Sequence, residues 1–315
     1  MALVRAIQVT GFGAGQYDNC QLVTDQGERA GEVFAGLSDG ELKSAVAAVF
    51  DGGEAALVHF QIGEAAAAAG GLSCGGRATL LIQSLESVPQ ALWDALRAGE
   101  TVALASRTDV ATTLVVRTTA KGTLEVSGSL NDEALHDMAV AEAQVLLADN
   151  RRNRLEFDGL AIEKIAPRTK VLAVGGGEVV EALADVTRAL GWLFDAQPEG
   201  APSVTAAAAL SGADALVVTT HHPQWGPATL AAALGSTAFF VGALGSRGTQ
   251  KKRAETLATA GVTDADVARI HGPVGLDLGG RSPAETALAI CAEILAVRAG
   301  RDLPSLRDRG GPINA

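Results

Sequence analysis

The sequence predicts an α/β protein of two domains: a mixed α+β region over residues 1–166, then a parallel-sheet domain over residues 167–315. Three observations carry this reading. The 315-residue chain is 48% hydrophobic and 19% charged, which is enough apolar material for two cores. Up to residue 165, short strand-like runs follow one another across turn residues. From Lys170 onward, short apolar runs alternate with Ala/Leu-rich helical segments, the pattern of parallel βαβ units.

In the first region, β-branched apolar runs predict strands over 3–10, 21–24, 57–62, 78–82, 102–106, 112–118 and 123–126. A helix is expected from Ser38 or Asp39 to about Phe50, because Leu42, Val46 and Val49 share one face. Residues 89–98 form a short helix, and Asn131 is the expected cap of another that ends near Asp149. Past the polar break Arg151-Arg152-Asn153-Arg154, residues 155–157 and 160–165 read as a hairpin. In the second region, strands are expected over 171–174, 192–194, 215–219 and 239–241, with helices over 179–190, 228–234, 250–260 and 283–299. The last helix opens on Ser282, Pro283 and Glu285, a capping box with proline in its first turn. No internal repeat stands out, and no low-complexity segment beyond the alanine run at 65–69.

The 25 basic and 36 acidic residues give a net charge of -11, which opposes a nucleic-acid backbone. Residues 1–160 hold 11 basic and 21 acidic side chains, against 14 and 15 in the remainder. An anionic ligand therefore belongs with the second half. Cys20, Cys74 and Cys291 lie far apart, with no metal or disulfide spacing, which fits a reducing, cytoplasmic compartment. The uncharged stretch 215–246 is interrupted by His221, His222, two prolines and several glycines, so no membrane span is expected. The Ala/Leu-rich helices are compatible with a core or with a homo-oligomer interface.

Gly175, Gly176 and Gly177 follow a strand and open a helix, where backbone amides can approach a pyrophosphate. Val180 occupies the third glycine position of that fingerprint, and Glu178 adds a negative charge. Asp195 stands 20 residues after Gly175, read here as the end of the next strand, where a ribose-binding carboxylate belongs. The alternatives are a Rossmann-like dinucleotide turn or a tight strand–helix connection with a loop aspartate. Gly242, Gly245 and Ser246 precede Arg247, Lys251, Lys252 and Arg253, a convergence of amides, a hydroxyl and cations suited to an oxyanion. The alternative there is a solvated basic helix face. His221 and His222 end a strand at the sheet's carboxyl edge, where one of them is a ligand contact or a loop cap; a metal site is the weaker alternative, because adjacent histidines diverge and no third ligand stands nearby. Asp277 sits in a Gly275–Gly279 loop, to orient a ligand or fix the turn, and Cys74 lies among glycines.

Taken together, these residues resemble the XdhC/CoxI family, accessory proteins that assist maturation of xanthine dehydrogenase and related molybdenum hydroxylases. The resemblance rests on ADALVVTTHH, FFVGALGSRGTQKKRAETLATAG and IHGPVGLDLGGRSPAETALAICAEILAVRAG, and more weakly on GLSCGGRATLLIQ and VLAVGGGEVV. It implies an N-terminal α/β region followed by a Rossmann-like domain. It also implies binding of molybdenum cofactor (molybdopterin), its protection, and its delivery after sulfuration, with a molybdenum hydroxylase and a cysteine desulfurase as partners. Gly245, Ser246 and Arg247 match the family's GSR, Asp277 its GLD, Cys74 its GL-x-CGG, and His221 its TH. Leu37 stands where such proteins carry a cysteine, and Ala14-Gly15-Gln16-Tyr17 replaces a Ser-Pro-Arg loop. The implied work is binding and transfer rather than turnover. Two other readings remain open: an NAD(P)-dependent oxidoreductase using Gly175, Gly177 and Asp195, and a scaffold without a ligand.

Overall fold

The computed structural model describes residues 1–11, 20–31, 33, 39–52, 55–69, 75–119, 122–149 and 152–301. The chain divides into two compact units, Met1–Leu96 with Thr101–Ile165, and Arg97–Glu100 with the chain from Ala166 onward.

The first unit is built from two antiparallel five-stranded sheets. One contains β1 (Ala2–Gly11), β2 (Cys20–Val23) and β3 (Arg29–Gly31), then, after helix α1 (Asp39–Gly52), strands β4 (Ala56–Ile62) and β5 (Gly76–Ser84). A short helix α2 (Glu64–Ala69), formed by the alanine run, lies between β4 and β5, and α3 (Gln90–Arg97) follows. The other sheet contains β6 (Val102–Arg107), β7 (Thr113–Thr118) and β8 (Leu124–Gly128), then α4 (Glu133–Ala148), β9 (Arg154–Phe157) and β10 (Leu160–Ile165). Asp132, not Asn131, caps α4: its carboxylate accepts from the Leu135 amide, while Asn131 takes a positive φ of 56° in the preceding turn.

The sheets have the same topology, β3-β2-β1-β5-β4 and β8-β7-β6-β10-β9. A repeat that the sequence does not display is therefore present in the fold. Strand alternation explains how each sheet is covered. Ala2, Val4 and Ala6 face α1 residues Leu42, Val46 and Val49, and Ala103 and Ala105 face α4 residues Ala139, Ala143 and Leu146. The opposite faces of the two sheets meet through Ile7, Leu81 and Ala161, with α3 closing over Leu3, Val102 and Leu104.

Between the sheets lies a buried polar cluster. Arg5 donates to Glu163, to Gln83 Oε1 at 2.5 Å and to Ser106 Oγ at 2.8 Å. Gln83 stands opposite Leu3, and Glu163 opposite Leu104, so matching positions of the two sheets supply these groups.

The second unit is a parallel sheet. Its strands are β11 (Lys170–Val174), β12 (Leu193–Gln197), β13 (Asp214–Val218), β14 (Phe240–Ala243) and β15 (Ile270–His271), in the order β12-β11-β13-β14-β15. The helices are α5 (Glu178–Ala189), α6 (Ala201–Ala208), α7 (Trp225–Leu234), α8 (Arg247–Thr259), α9 (Asp264–Ala268) and α10 (Pro283–Arg298). Val171, Ala173, Ala215 and Val217 pack against α5 and α10, while Leu172, Val174, Leu216 and Val218 pack against α6, α7 and α8. Both faces are thus covered, which explains the continuous apolar runs. Val180 packs into the first of these cores instead of crowding it.

The sequence reading omitted α6, which begins with Pro202 at its first turn, and also β3, α9 and β15. It began α7 and α8 three residues late. Among the described residues, no helix is long and apolar enough to cross a membrane.

Two predictions follow from this packing. Glu163→Leu leaves a buried guanidinium without its countercharge and is expected to cost about 3–5 kcal/mol in urea unfolding. Arg5→Met combined with Glu163→Leu removes both charges and is expected to cost clearly less than Glu163→Leu alone. Burial pushes the Cys291 thiol from its ordinary 9.0 up to about 12. The native state therefore holds a proton that the unfolded chain releases. Stability falls as pH rises through that window, by at most about 1.4 kcal/mol per pH unit from this group. Cys291→Ala is expected to show a correspondingly shallower decline between about pH 9 and pH 11.

Candidate functional site

The parallel strands end together at one edge, and their following turns carry most of the residues singled out in the sequence. The order β12-β11-β13-β14-β15 reverses between β11 and β13, so their connections leave toward opposite faces and open a crevice at the strand ends. Hydrogen bonding continues past the strands: the Gly175 amide donates to Gln197 O at 3.0 Å, Thr219 and Thr220 amides donate to Val174 O, and the Leu244 amide donates to Val218 O at 2.8 Å.

On the β11 side, Gly175 has a φ of 130°, and a Cβ there would meet Thr219 Oγ1 at 2.3 Å and the Thr220 amide nitrogen at 2.9 Å. Only glycine lets the two turns approach so closely. Gly176 and Gly177 face open space, and Gly177 caps α5 without any side-chain hydrogen bond. Glu178 and Glu181 occupy the first turn of α5.

Asp195 is not at a strand end. β12 runs on to Gln197, and Asp195 stands opposite Leu172 with its Oδ1 accepting from Gln197 Nε2 at 2.9 Å. The carboxylate beyond the end of β12 is Glu199, which accepts from the Thr220 hydroxyl across the crevice.

On the β13 side, His221 is exposed. His222 does the capping: its Nδ1 accepts from the Gln224 and Trp225 amides at 3.2 and 3.3 Å. The accepting Nδ1 carries no proton in this arrangement.

Gly242 lies within β14 rather than after it. A Cβ there would meet Phe240 Cε1 and Val274 Cγ2, each at 2.7 Å, so its smallness serves packing. Gly245 follows the strand with a φ of 129°. Ser246 caps α8 by accepting from the Thr249 amide at 3.2 Å, and Arg247 is the first helical residue, half-buried.

The cations of α8 divide into two kinds. Lys251 and Lys252 are exposed. Arg253, expected in the sequence to join them, is 7% exposed, and burial lowers its pKa from the usual arginine value. Its guanidinium donates to Leu244 O, Gln250 Oε1 and Thr220 O.

A second buried group supports the loop that carries Asp277. Glu293 accepts from the Gly275 amide at 2.6 Å and pairs with His271 Nδ1 at 2.9 Å, while the His271 ring stacks on Phe240 at 4.4 Å between centroids. Asp277 is half-buried in that loop, after the carboxyl end of β15. A carboxylate between Ala292 and Ile294 in an otherwise apolar helix segment was the available signal for this pair. Arg253 and Glu199 had no such signal.

Gly175, Gly177, His221, Gly245, Ser246, Arg247 and Asp277 therefore follow strands at one sheet edge, whereas Asp195 and Gly242 lie within strands. Cys74 lies outside the described residues, as do Leu37 and Ala14-Gly15-Gln16-Tyr17. Among the described residues, no group of three or more His, Cys, Asp or Glu side chains could hold a metal ion.

Comparison with known proteins places this unit. Residues 171–294 match the family model described as the XdhC Rossmann domain. A crystal structure described as a xanthine dehydrogenase from Bacillus halodurans aligns over 96% of this chain and 92% of its own, at 17% identity and a TM-score of 0.60, which establishes a shared fold. The sugar isomerase domain of an RpiR transcription factor from Sphaerobacter thermophilus aligns over 42% of this chain and 72% of its own. At 17% identity and a TM-score of 0.27, it carries no argument. No curated protein matches the chain.

The two neighbouring glycines of the β11 turn should respond differently to a methyl group. Gly175→Ala collides with the β13 turn and strains the backbone, an expected loss of about 1–3 kcal/mol. Gly176→Ala meets open space and is expected to stay within about 0.5 kcal/mol of the parent in urea unfolding.

Proposed function

On the premise that residues 171–294 belong to the XdhC family as its Rossmann domain, we propose that the chain is an accessory protein of a molybdenum hydroxylase. In this reading it binds molybdopterin by its phosphate and hands it on to the partner enzyme. The observation that carries the reading is the meeting of the Gly175–Gly177, Thr219–His222 and Leu244–Arg247 turns at the carboxyl edge of one parallel sheet. Open α/β sheets take ligands in such a crevice.

The residues fit the phosphate end of the cofactor. The first turn of α8 carries Arg247 and no acid, so amides at its N-terminus and a guanidinium act together on an anion. Gly176 and Gly177 leave the opposite wall open. His221, exposed on the turn between them, can donate a hydrogen bond to the ligand. When bound, the cofactor supplies the metal-centre chemistry, and this chain's part is to hold and release its anionic end. A xanthine dehydrogenase-type enzyme is the proposed recipient, and a cysteine desulfurase the proposed sulfur donor. The XdhC match supports the first of these more directly than the second.

The nicotinamide reading loses its ribose acid with Asp195, which sits in mid-strand with an oxygen already hydrogen-bonded. Equilibrium titrations with molybdopterin and with NADH separate the two. Pterin binding without comparable NADH binding is expected, and the reverse result overturns the proposal. Arg247→Ala is expected to weaken pterin binding by about tenfold or more, with Tm measured alongside to exclude misfolding.

A further inference from the structure

Arg253 lies two turns into α8, beneath the crevice loops, and it is among the few charged side chains of this unit that are almost wholly buried. Its Nη2 donates to Thr220 O at 3.4 Å, in the turn after β13. Nη1 donates to Leu244 O at 3.2 Å, in the turn after β14, and to Gln250 Oε1 at 2.6 Å. Gln250 then donates through Nε2 to Ala243 O and Gly245 O, at 3.0 and 3.2 Å. Both loops are thereby tied to one guanidinium and its neighbouring amide. Gly272 packs against that amide so closely that a Cβ would come within 2.7 Å of Gln250 Oε1.

Among the described residues, the acceptors that Arg253 reaches are all neutral. A surface lysine is solvated by water, but a buried cation with no countercharge is costly. Backbone carbonyls and an amide orient the guanidinium without cancelling its charge. An anion in the crevice above would lessen that cost, and the exposed Lys251 and Lys252 gain far less from it because salt and water already screen them.

We propose that Arg253 is the positioning residue of the anion site: it fixes the spacing between the His221 turn and the Gly245–Arg247 turn, and its buried charge attracts the phosphate group that occupies the space between them. This rests on the reading of the carboxyl edge as an anion site. It adds that the site's affinity is set from below, by a side chain that ligand does not have to touch.

The test follows thermal unfolding and equilibrium binding of the full chain with inorganic pyrophosphate as probe, at ionic strength matched with sodium chloride. Pyrophosphate is expected to raise the Tm of the parent. Arg253→Met keeps an unbranched aliphatic chain without the charge, and Arg253 lines a cavity of about 250 Å³ with Ala254, Leu257 and Ile270 that leaves room for the exchange. This variant is expected to abolish most of the rise. Arg253→Lys keeps the charge but loses the fork, and its Kd for pyrophosphate is expected to weaken by about tenfold while part of the rise survives.

A role as a brace alone predicts otherwise: Arg253→Met would lose stability equally with and without pyrophosphate, and the rise would match that of the parent. That result overturns the role of Arg253 and leaves the anion site standing. A parent protein that does not respond to pyrophosphate overturns both. If Arg253→Met does not fold, an unchanged Kd in Arg253→Lys is sufficient to reject the proposal.

Discussion

The second unit depends on the burial of both faces of its two central strands. Val171 through Val174 and Ala215 through Val218 alternate between two apolar cores, so helices cover the sheet above and below. Side chains of these strands are consumed in packing, and polar chemistry is left to the strand ends. There the backbone still has to be satisfied. Val174 O accepts from Thr219 and Thr220, and Val218 O from Leu244. Those bonds draw the three turns together, and Gly175 is what permits the approach. The crevice is a consequence of a well-covered sheet whose connections diverge at β11 and β13.

The first unit solves a similar burial problem with antiparallel sheets, at the expense of a buried charge. Arg5 belongs to a strand otherwise suited to a core, and its partners Gln83, Ser106 and Glu163 come from β5, β6 and β10. Buried ion pairs seldom raise net stability over an apolar replacement. A one-residue slip of either strand would turn its side chains to the opposite face and separate Arg5 from Glu163.

Much of this was legible in the sequence. Alternation of apolar runs with Ala/Leu-rich segments gave the parallel sheet, and glycines after β11 and β14 marked the turns that meet. What escaped notice depended on contacts between distant residues. Arg253 reads as one more cation in a basic helix, because the carbonyls of Thr220 and Leu244 that enclose it are not side-chain signals. The length of β12 decided the fate of Asp195: a strand ending near Phe194 would have left that carboxylate at the edge, but pairing with β11 carries the strand on to Gln197. The doubled topology of the first unit escaped because matching positions share shape and strand order more than residue identity. Arg5 was itself a clue, a charge set among Ala2, Leu3, Val4, Ala6 and Ile7.

Electrostatics decides which wall of the crevice an anion prefers. The first turn of α5 offers a helix N-terminus and open space, but Glu178 and Glu181 stand in it. Acids there stabilise the helix dipole by about 0.3–1 kcal/mol each, and in doing so they use up the positive end that a phosphate would need. The first turn of α8 has the opposite composition, with Arg247 and no acid, and Arg253 beneath it. Cations at that end destabilise the isolated helix by similar amounts. The glycine-rich turn after β11 thus provides room, and the turn after β14 provides attraction. In the proposed reading a phosphate therefore belongs at α8 and not at α5, and Glu199, beyond the end of β12, accepts from the Thr220 hydroxyl.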